Sequence, residues 1–139
     1  MIEKTVLDYL ISKNLSAGTG VYMEVPLNPP DKYIVIEKTG SSRYNRINQA
    51  MLAIKSYSKK SLEEAAMLNE EVLEAMDAIT ELTEIFRAEL NSDYNYTNYE
   101  TKEYRYQAVY NWFLSRKIWK PSNDINIYYV RLNTRISSS

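Results

Sequence analysis

The segment that follows Ser61 constrains the fold more than any other part of this 139-residue chain. Ser61 and Glu64 match the capping box, in which a serine at the helix N-cap is followed three residues later by a glutamate. From there the side chains at i, i+3 and i+4 spacing form one mostly apolar stripe: Leu62, Ala65, Ala66, Asn69, Val72, Leu73, Met76 and Ile79. The pattern predicts an amphipathic helix whose acidic opposite side is a solvated face rather than a metal site.

The remaining segments contain one further helical pattern and several strand patterns. Apolar residues at helical spacing predict a helix over residues 2–13. Strands are predicted at residues 21–25, 33–38, 47–57, 85–90 and 104–112, from β-branched enrichment or alternation. Segments 26–31, 39–45 and 91–98 are predicted to be loops because they are rich in proline or in Gly, Ser, Asn and Asp.

The order of these elements predicts the fold class. A helix, three strands, a second helix and two more strands favour an α+β fold, with a single mostly antiparallel sheet of about five strands and two helices packed on one face. Residues 1–113 would form this domain. Residues 114–139 begin with a basic run, and their last part resembles one more strand. They are interpreted as a C-terminal extension whose order is left open.

The composition excludes many functions. The chain has no cysteine and no histidine, which excludes disulfides, thiolate metal sites and every catalytic design that needs an imidazole. We therefore predict no enzyme activity, no cofactor and no metal. The formal net charge of −1 argues against a dedicated nucleic-acid binder, which usually has a basic excess. The N-terminus does not resemble a signal peptide, and no apolar stretch is long enough to span a membrane.

The aromatic residues are unusually biased, with 13 tyrosines and only 2 phenylalanines. Tyrosine joins a large apolar ring to a polar tip, which suits surfaces that are wet in the monomer and buried in a complex. Its high strand propensity on half-exposed strands explains the same bias without a partner. The sequence leaves both interpretations open.

Three groups of residues could take part in binding or chemistry. Arg43 and Arg46, beside Tyr44, could bind phosphate or a neighbouring subunit's carboxylate, or could be ordinary solubilising charges at a hairpin tip. Asp93 has no opposed carboxylate for hydrolytic chemistry, and its segment is expected to be a turn. Lys59 and Lys60 precede a helix N-terminus, where the helix dipole disfavours cations, which hints at an anionic partner.

Several motifs occur in a characteristic order. They are Val25-Pro26 to Pro29-Pro30, the strand segment 33–38, the loop Gly40-Ser41-Ser42-Arg43-Tyr44-Asn45-Arg46-Ile47, the segments 53–57, 64–72 and 90–96, and Tyr104-Arg105-Tyr106-Gln107-Ala108-Val109-Tyr110. Over about residues 1–113 the chain resembles the tail-terminator (tail-completion, head-tail joining) proteins of siphophages and of prophages of Gram-positive bacteria. Chains of that family commonly stop soon after the equivalent of Tyr110, so residues 114–139 depart from its pattern.

The resemblance implies a structural virion protein. It implies a small α+β fold that closes into a homo-hexameric ring, caps the tail tube protein, stops its polymerisation and docks the connector that completes the head. DNA would pass through the ring lumen without sequence-specific binding. The protein would lie at the tail–head junction of the virion, and in the host cytoplasm during assembly. Arg43, Tyr44 and Arg46 would then reach a neighbouring subunit or the lumen, and Asp93, Tyr94 and Tyr96 would form a second contact patch.

Three other functions compete with this interpretation. Another neck component, such as a head-closure or stopper protein, would belong to the same class but dock differently. A small nucleic-acid-binding module would use the tyrosines for base stacking. A histidine-free enzyme is the third, but the sequence nominates no acid–base pair for it.

Overall fold

The computed structural model describes residues 2–44, 47–79 and 87–115. In chain order these residues form α1 (Ile2–Ser12), β1 (Val21–Tyr22), β2 (Lys32–Tyr44), β3 (Ile47–Ser58), α2 (Leu62–Met76), β4 (Arg87–Asn95) and β5 (Tyr104–Ser115). Predictions that concern residues 45–46, 80–86 and 116–139 lie outside the described residues.

The strands form one five-stranded sheet in the order β1-β2-β3-β5-β4. β1 runs parallel to β2, and every other neighbouring pair is antiparallel. β2, β3 and β5 are therefore the interior strands, and β5 pairs with β3 although α2 and β4 separate the two in sequence. The predicted α+β class, with a single mostly antiparallel sheet and two helices, is confirmed.

Both helices pack on the same face of the sheet. Alternate strand residues such as Ile34, Ile54 and Ala108 are fully buried against Leu10 of α1 and Leu68 of α2 in one core cluster. Because side chains alternate between the two faces of a strand, the residues between them point to the opposite face. A hydrogen bond also joins the helices, since the Tyr9 hydroxyl donates to the Ala75 carbonyl oxygen at 2.7 Å.

The start of α2 follows the predicted cap with one difference. The Ser61 hydroxyl accepts a hydrogen bond from the Glu64 N–H at 3.1 Å, as an N-cap serine does. The Glu64 carboxylate, however, accepts from the hydroxyl of Ser58 at the end of β3 rather than completing a reciprocal box. The cap therefore also fastens the helix to the strand that precedes it.

Three predicted boundaries are wrong. β1 ends at Tyr22, well short of residue 25, and the chain reaches Pro26 without further pairing. Residues 39–44 continue β2, and residues 91–95 continue β4, although both segments were predicted to be loops. The pairing register shifts by one residue in each of these two strands, between Lys38 and Gly40 in β2 and between Leu90 and Ser92 in β4. Such bulges let a strand continue past residues that pair poorly.

Candidate functional site

The face of the sheet opposite the helices carries a row of aromatic and polar side chains, which we call the aromatic row. It consists of Tyr22, Tyr33, Tyr57, Arg105, Tyr96 and Tyr94. The strand register produces it, because Tyr33 pairs with Tyr57 and Tyr57 pairs with Arg105. The Tyr96 N–H donates to the Arg105 carbonyl oxygen at 2.8 Å, which continues the row beyond the end of β4.

Neighbouring members of the aromatic row are in ring contact. The rings of Tyr33 and Tyr57 are stacked with centroids 4.5 Å apart and an interplanar angle of 6°. Tyr22 meets the edge of Tyr33 at 6.5 Å. On the other side, the guanidinium of Arg105 lies 4.4 Å from the centroid of the Tyr96 ring and 6.0 Å from that of Tyr57. These distances are within the range of aromatic and cation–π attraction.

The last ring contact of the aromatic row joins Tyr96 to Tyr94 of β4. The centroids of the two rings are 6.0 Å apart and their planes are perpendicular. The Tyr94 hydroxyl accepts a hydrogen bond from the Gln107 amide at 2.6 Å, which fixes that ring above β5. The row is thus a connected layer of rings from β1 to β4.

The two cations in and beside the aromatic row, Arg105 and Lys55, are paired with carboxylates of the same chain. Arg105 forms an ion pair of 2.6 Å with Glu103 and donates its Nε–H to the Tyr96 carbonyl oxygen, also at 2.6 Å. Lys55 forms an ion pair of 2.7 Å with Glu37. Burial disfavours the charge on Lys55, but the hydrogen bond and attraction of Glu37 outweigh it and raise the pKa of the lysine. Around Arg105 and Lys55 the face therefore presents aromatic surface together with paired charges.

Burial differs along the row. Tyr33 and Tyr57 are buried, and burial, followed by repulsion from Tyr57 and Glu103, raises the pKa of the Tyr33 phenol to about 12. Tyr94 and Tyr96 remain 41% and 43% exposed. A fixed ring that leaves this much surface in water suits a contact with another protein, because little side-chain freedom is lost on binding. The β4 end of the row is thus a candidate contact surface.

The structure separates the predicted second patch. Tyr94 and Tyr96 lie together on the aromatic face, but Asp93 lies on the helix side, opposite Ala108 in the register. There the Asp93 carboxylate accepts a hydrogen bond of 3.5 Å from the amide of Asn69, the buried polar residue of the α2 stripe. Asp93 thus contacts α2 and lies on the opposite face of β4 from Tyr94.

The first predicted patch falls at the tip of the β2–β3 hairpin. Arg43 and Tyr44 are the last residues of β2, and they pair with Asn48 and Ile47 of β3. Arg46 lies outside the described residues. The sequence analysis missed Tyr33, Tyr57 and Arg105, which connect the second patch to β1.

A simple signal could have found those residues. Tyr33 precedes the core residue Ile34. Tyr57 and Arg105 each lie an odd number of positions from a core residue of the same strand, Ile54 and Ala108, so the period of two places all three on the second face. What sequence could not supply is the register that aligns the three strands.

Comparison with known proteins does not extend this description. The chain matches no protein-family model and no curated protein. Over residues 2–44, 47–79 and 87–115, no three acidic residues are grouped so that they could hold a metal ion. In the same parts of the chain, neither helix is long and apolar enough to cross a membrane.

Proposed function

We propose that this protein is a structural virion component that assembles into a hexameric ring, caps the tail tube of a long-tailed phage and joins the tail to the head. In this function no covalent bond is made or broken, and the protein acts through its contacts with other proteins. The ring would stop addition of tail tube protein at one face and bind the head's connector at the other. DNA would pass through the lumen without sequence-specific contacts.

The observation that supports this proposal best is the aromatic row. Its rings are held in fixed positions by stacking and by hydrogen bonds, and the row ends in half-exposed Tyr94 and Tyr96. Preorganised tyrosines on a sheet face are typical of surfaces that become buried on assembly. The α+β fold agrees with what the resemblance to tail terminators implies.

The aromatic row also weighs against the nucleic-acid alternative. Binding of single strands combines stacking platforms with a positively charged groove that follows the phosphates. Here Arg105 and Lys55 are each paired with a carboxylate, Glu103 and Glu37. Paired in this way, these two cations provide little of the electrostatic affinity that such binding needs.

Solution mass tests the ring directly. Light scattering coupled to size exclusion, over a range of concentrations, should reveal a species near six times the chain mass of 16.3 kDa, alone or in equilibrium with monomer. If the protein remains a monomer at every concentration, the free ring is refuted, and only assembly templated by a tube tip would be left.

A further inference from the structure

The loop between β1 and β2 presents apolar side chains to water, and we call residues 23–27 the apolar loop. Met23, Val25 and Leu27 are all exposed, and Leu27 is 95% exposed. An isolated apolar side chain on a surface is ordinary. Three of them at alternate positions on one loop form an apolar projection, and in the monomer this projection is exposed to water.

The chain holds the base of this loop in place. The Ile34 N–H donates to the Gly20 carbonyl oxygen at 2.8 Å, and the Lys59 N–H donates to the Asp31 carbonyl oxygen at 2.9 Å. The Lys59 ammonium donates to the Pro29 carbonyl oxygen at 2.5 Å. The rings of Pro26, Pro29 and Pro30 fix their own φ angles. The base of the projection is therefore preorganised, which lowers the entropic penalty of inserting it into a partner.

A cleft of about 220 Å³ lies at the other edge of the sheet, between the end of α2 and strands β4 and β5. Apolar groups of Leu73, Met76, Ile79, Ala88, Leu90 and Tyr110 line it. Leu90 is 47% exposed although it lines this cleft, so the wall has unused apolar surface. In the described chain the cleft and the apolar loop lie at opposite ends of the strand order.

The size of the cleft selects the kind of occupant. Cavities of roughly 150 Å³ accept a benzene-sized group, whereas sites for drug-sized ligands start at roughly 300 Å³. At about 220 Å³ the cleft suits one branched aliphatic side chain with part of a neighbour. Leu27, flanked by Val25, has this size and chemistry.

The charges around the two features are complementary. Near the loop three lysines, Lys32, Lys59 and Lys60, outnumber the two carboxylates Glu24 and Asp31. The one charged residue among the described lining of the cleft is Asp77, which gives the cleft a negative charge. Burial, followed by the charges of Asp77 and Asp93, raises the pKa of the Tyr110 phenol in its wall. Lys59, one of the basic pair before α2, has an internal acceptor in the Pro29 carbonyl oxygen.

We propose that the apolar loop of one copy inserts Leu27 into the cleft of the next copy. A projection and a pocket at opposite edges of one chain make a heterologous contact, which closes into a ring when its rotation divides the circle. This inference rests on the proposed ring and names its subunit interface. The aromatic row stays outside this contact and remains available to the tube or the head.

Cysteine cross-linking tests the contact, since the natural chain has no cysteine. Leu27→Cys and Leu90→Cys proteins are mixed under mild oxidation, and the products are separated without reductant. The mixed Leu27–Leu90 disulfide should exceed each self-disulfide by about tenfold or more, and the double variant should give a ladder that ends at a closed hexamer. Met67→Cys, which places a thiol at another exposed apolar position, provides the background when it is mixed with either variant.

A second variant separates this contact from the ring itself. Leu27→Asp should raise the concentration at half-assembly by about tenfold or more, as loss of a buried anchor does. Its unfolding midpoint should equal that of the natural protein, because the Leu27 side chain is not buried in the monomer. Met67→Asp, the matched control, should assemble normally.

The outcomes distinguish the two proposals. Rings that form equally well with Leu27→Asp, or mixed disulfides no more abundant than the Met67 background, overturn the loop–cleft contact and leave the ring standing. Mixed disulfides that grow into open chains and never into a closed species support the contact and contradict the ring. If neither the cross-link nor assembly occurs at any concentration, the loop–cleft contact and the free ring are both overturned.

Discussion

Replacement of Tyr57 with leucine tests whether the aromatic row is held together by ring stacking or only by burial. The Tyr33 and Tyr57 rings are parallel, 4.5 Å apart and almost completely buried. Truncation of a buried aromatic ring to alanine costs about 3–5 kcal/mol, and leucine retains part of the apolar burial. We therefore expect Tyr57→Leu to lower the free energy of unfolding by about 1–3 kcal/mol.

The stacking contribution is isolated by a double-mutant cycle. Aromatic pairs contribute about 0.5–1.5 kcal/mol beyond their buried area, so the loss in the Tyr33→Leu/Tyr57→Leu protein should be smaller than the sum of the single losses by about 1 kcal/mol. Urea unfolding monitored by circular dichroism gives the four free energies. If the free energy of unfolding falls with urea concentration at the same slope in all four proteins, the differences between them reflect the native state.

A matched control pair uses Tyr33 with Tyr94. The strand order separates these tyrosines by three inter-strand steps, which is roughly 14 Å. At that distance the effects of Tyr33→Leu and Tyr94→Leu should add within about 0.5 kcal/mol. If the Tyr33/Tyr57 pair is as additive as this control, stacking contributes nothing measurable and the argument for a preorganised row fails.

Three further predictions concern the cap, a phenol and two glycines. Ser61→Ala should lower stability by about 1 kcal/mol in thermal unfolding, because the Glu64 N–H loses its acceptor; an unchanged melting temperature would contradict the cap. Because the fold raises the pKa of the Tyr33 phenol to about 12, it favours the neutral form of the phenol. The free energy of unfolding that this preference contributes is complete below pH 10 and is lost as the pH rises towards 12, by at most about 1.4 kcal/mol per pH unit. In urea unfolding at several pH values, Tyr33→Phe should lose less stability over this interval than the natural protein, and an equal loss would refute the assignment. Gly20→Ala should destabilise by about 1–3 kcal/mol, since the new methyl carbon would lie 3.0 Å from the Ala17 carbonyl oxygen, whereas Gly40→Ala meets nothing within 4 Å and should be tolerated; equal melting temperatures for the two would contradict the packing at Gly20.

Local signals predicted the helices well. Ser61 marks the start of α2 because its side chain satisfies a helix N–H that has no partner within the helix, and such an interaction depends only on residues three apart. The helical stripe likewise located most of the core face, including Ala65 and Val72, which are fully buried, but it omitted Leu68, which is fully buried as well. Even Asn69, a polar residue in the stripe, has a specific partner in Asp93.

Strand ends depend on partners that are distant in sequence. Gly40 and Ser41 favour a turn locally, but they pair with Met51 and Ala50 across the hairpin. Asp93 sits in a segment rich in turn-forming residues, yet β5 pairs with it along its length. Pairing supplies backbone hydrogen bonds that outweigh weak turn preferences, and these pairings could not be inferred without the sheet order.

The candidate site was only partly predictable for the same reason. The resemblance to tail terminators implies one patch of Asp93, Tyr94 and Tyr96, in a segment that the sequence predicts to be a loop. A strand places consecutive residues on opposite faces, which sends Asp93 to α2. The apolar loop and the cleft were not identified at all, because neither exposure nor a cavity can be derived from residue types.

Tail length in a phage from which this protein has been removed tests the central proposal most directly. Lysates of a carrier phage with the gene disrupted would be examined by electron microscopy, and the length of every tail would be measured. The proposed ring predicts overlong, headless tails, with normal lengths restored by supplying the natural protein. Tails of normal length beside heads that leak DNA would contradict it and identify a head-closure protein instead.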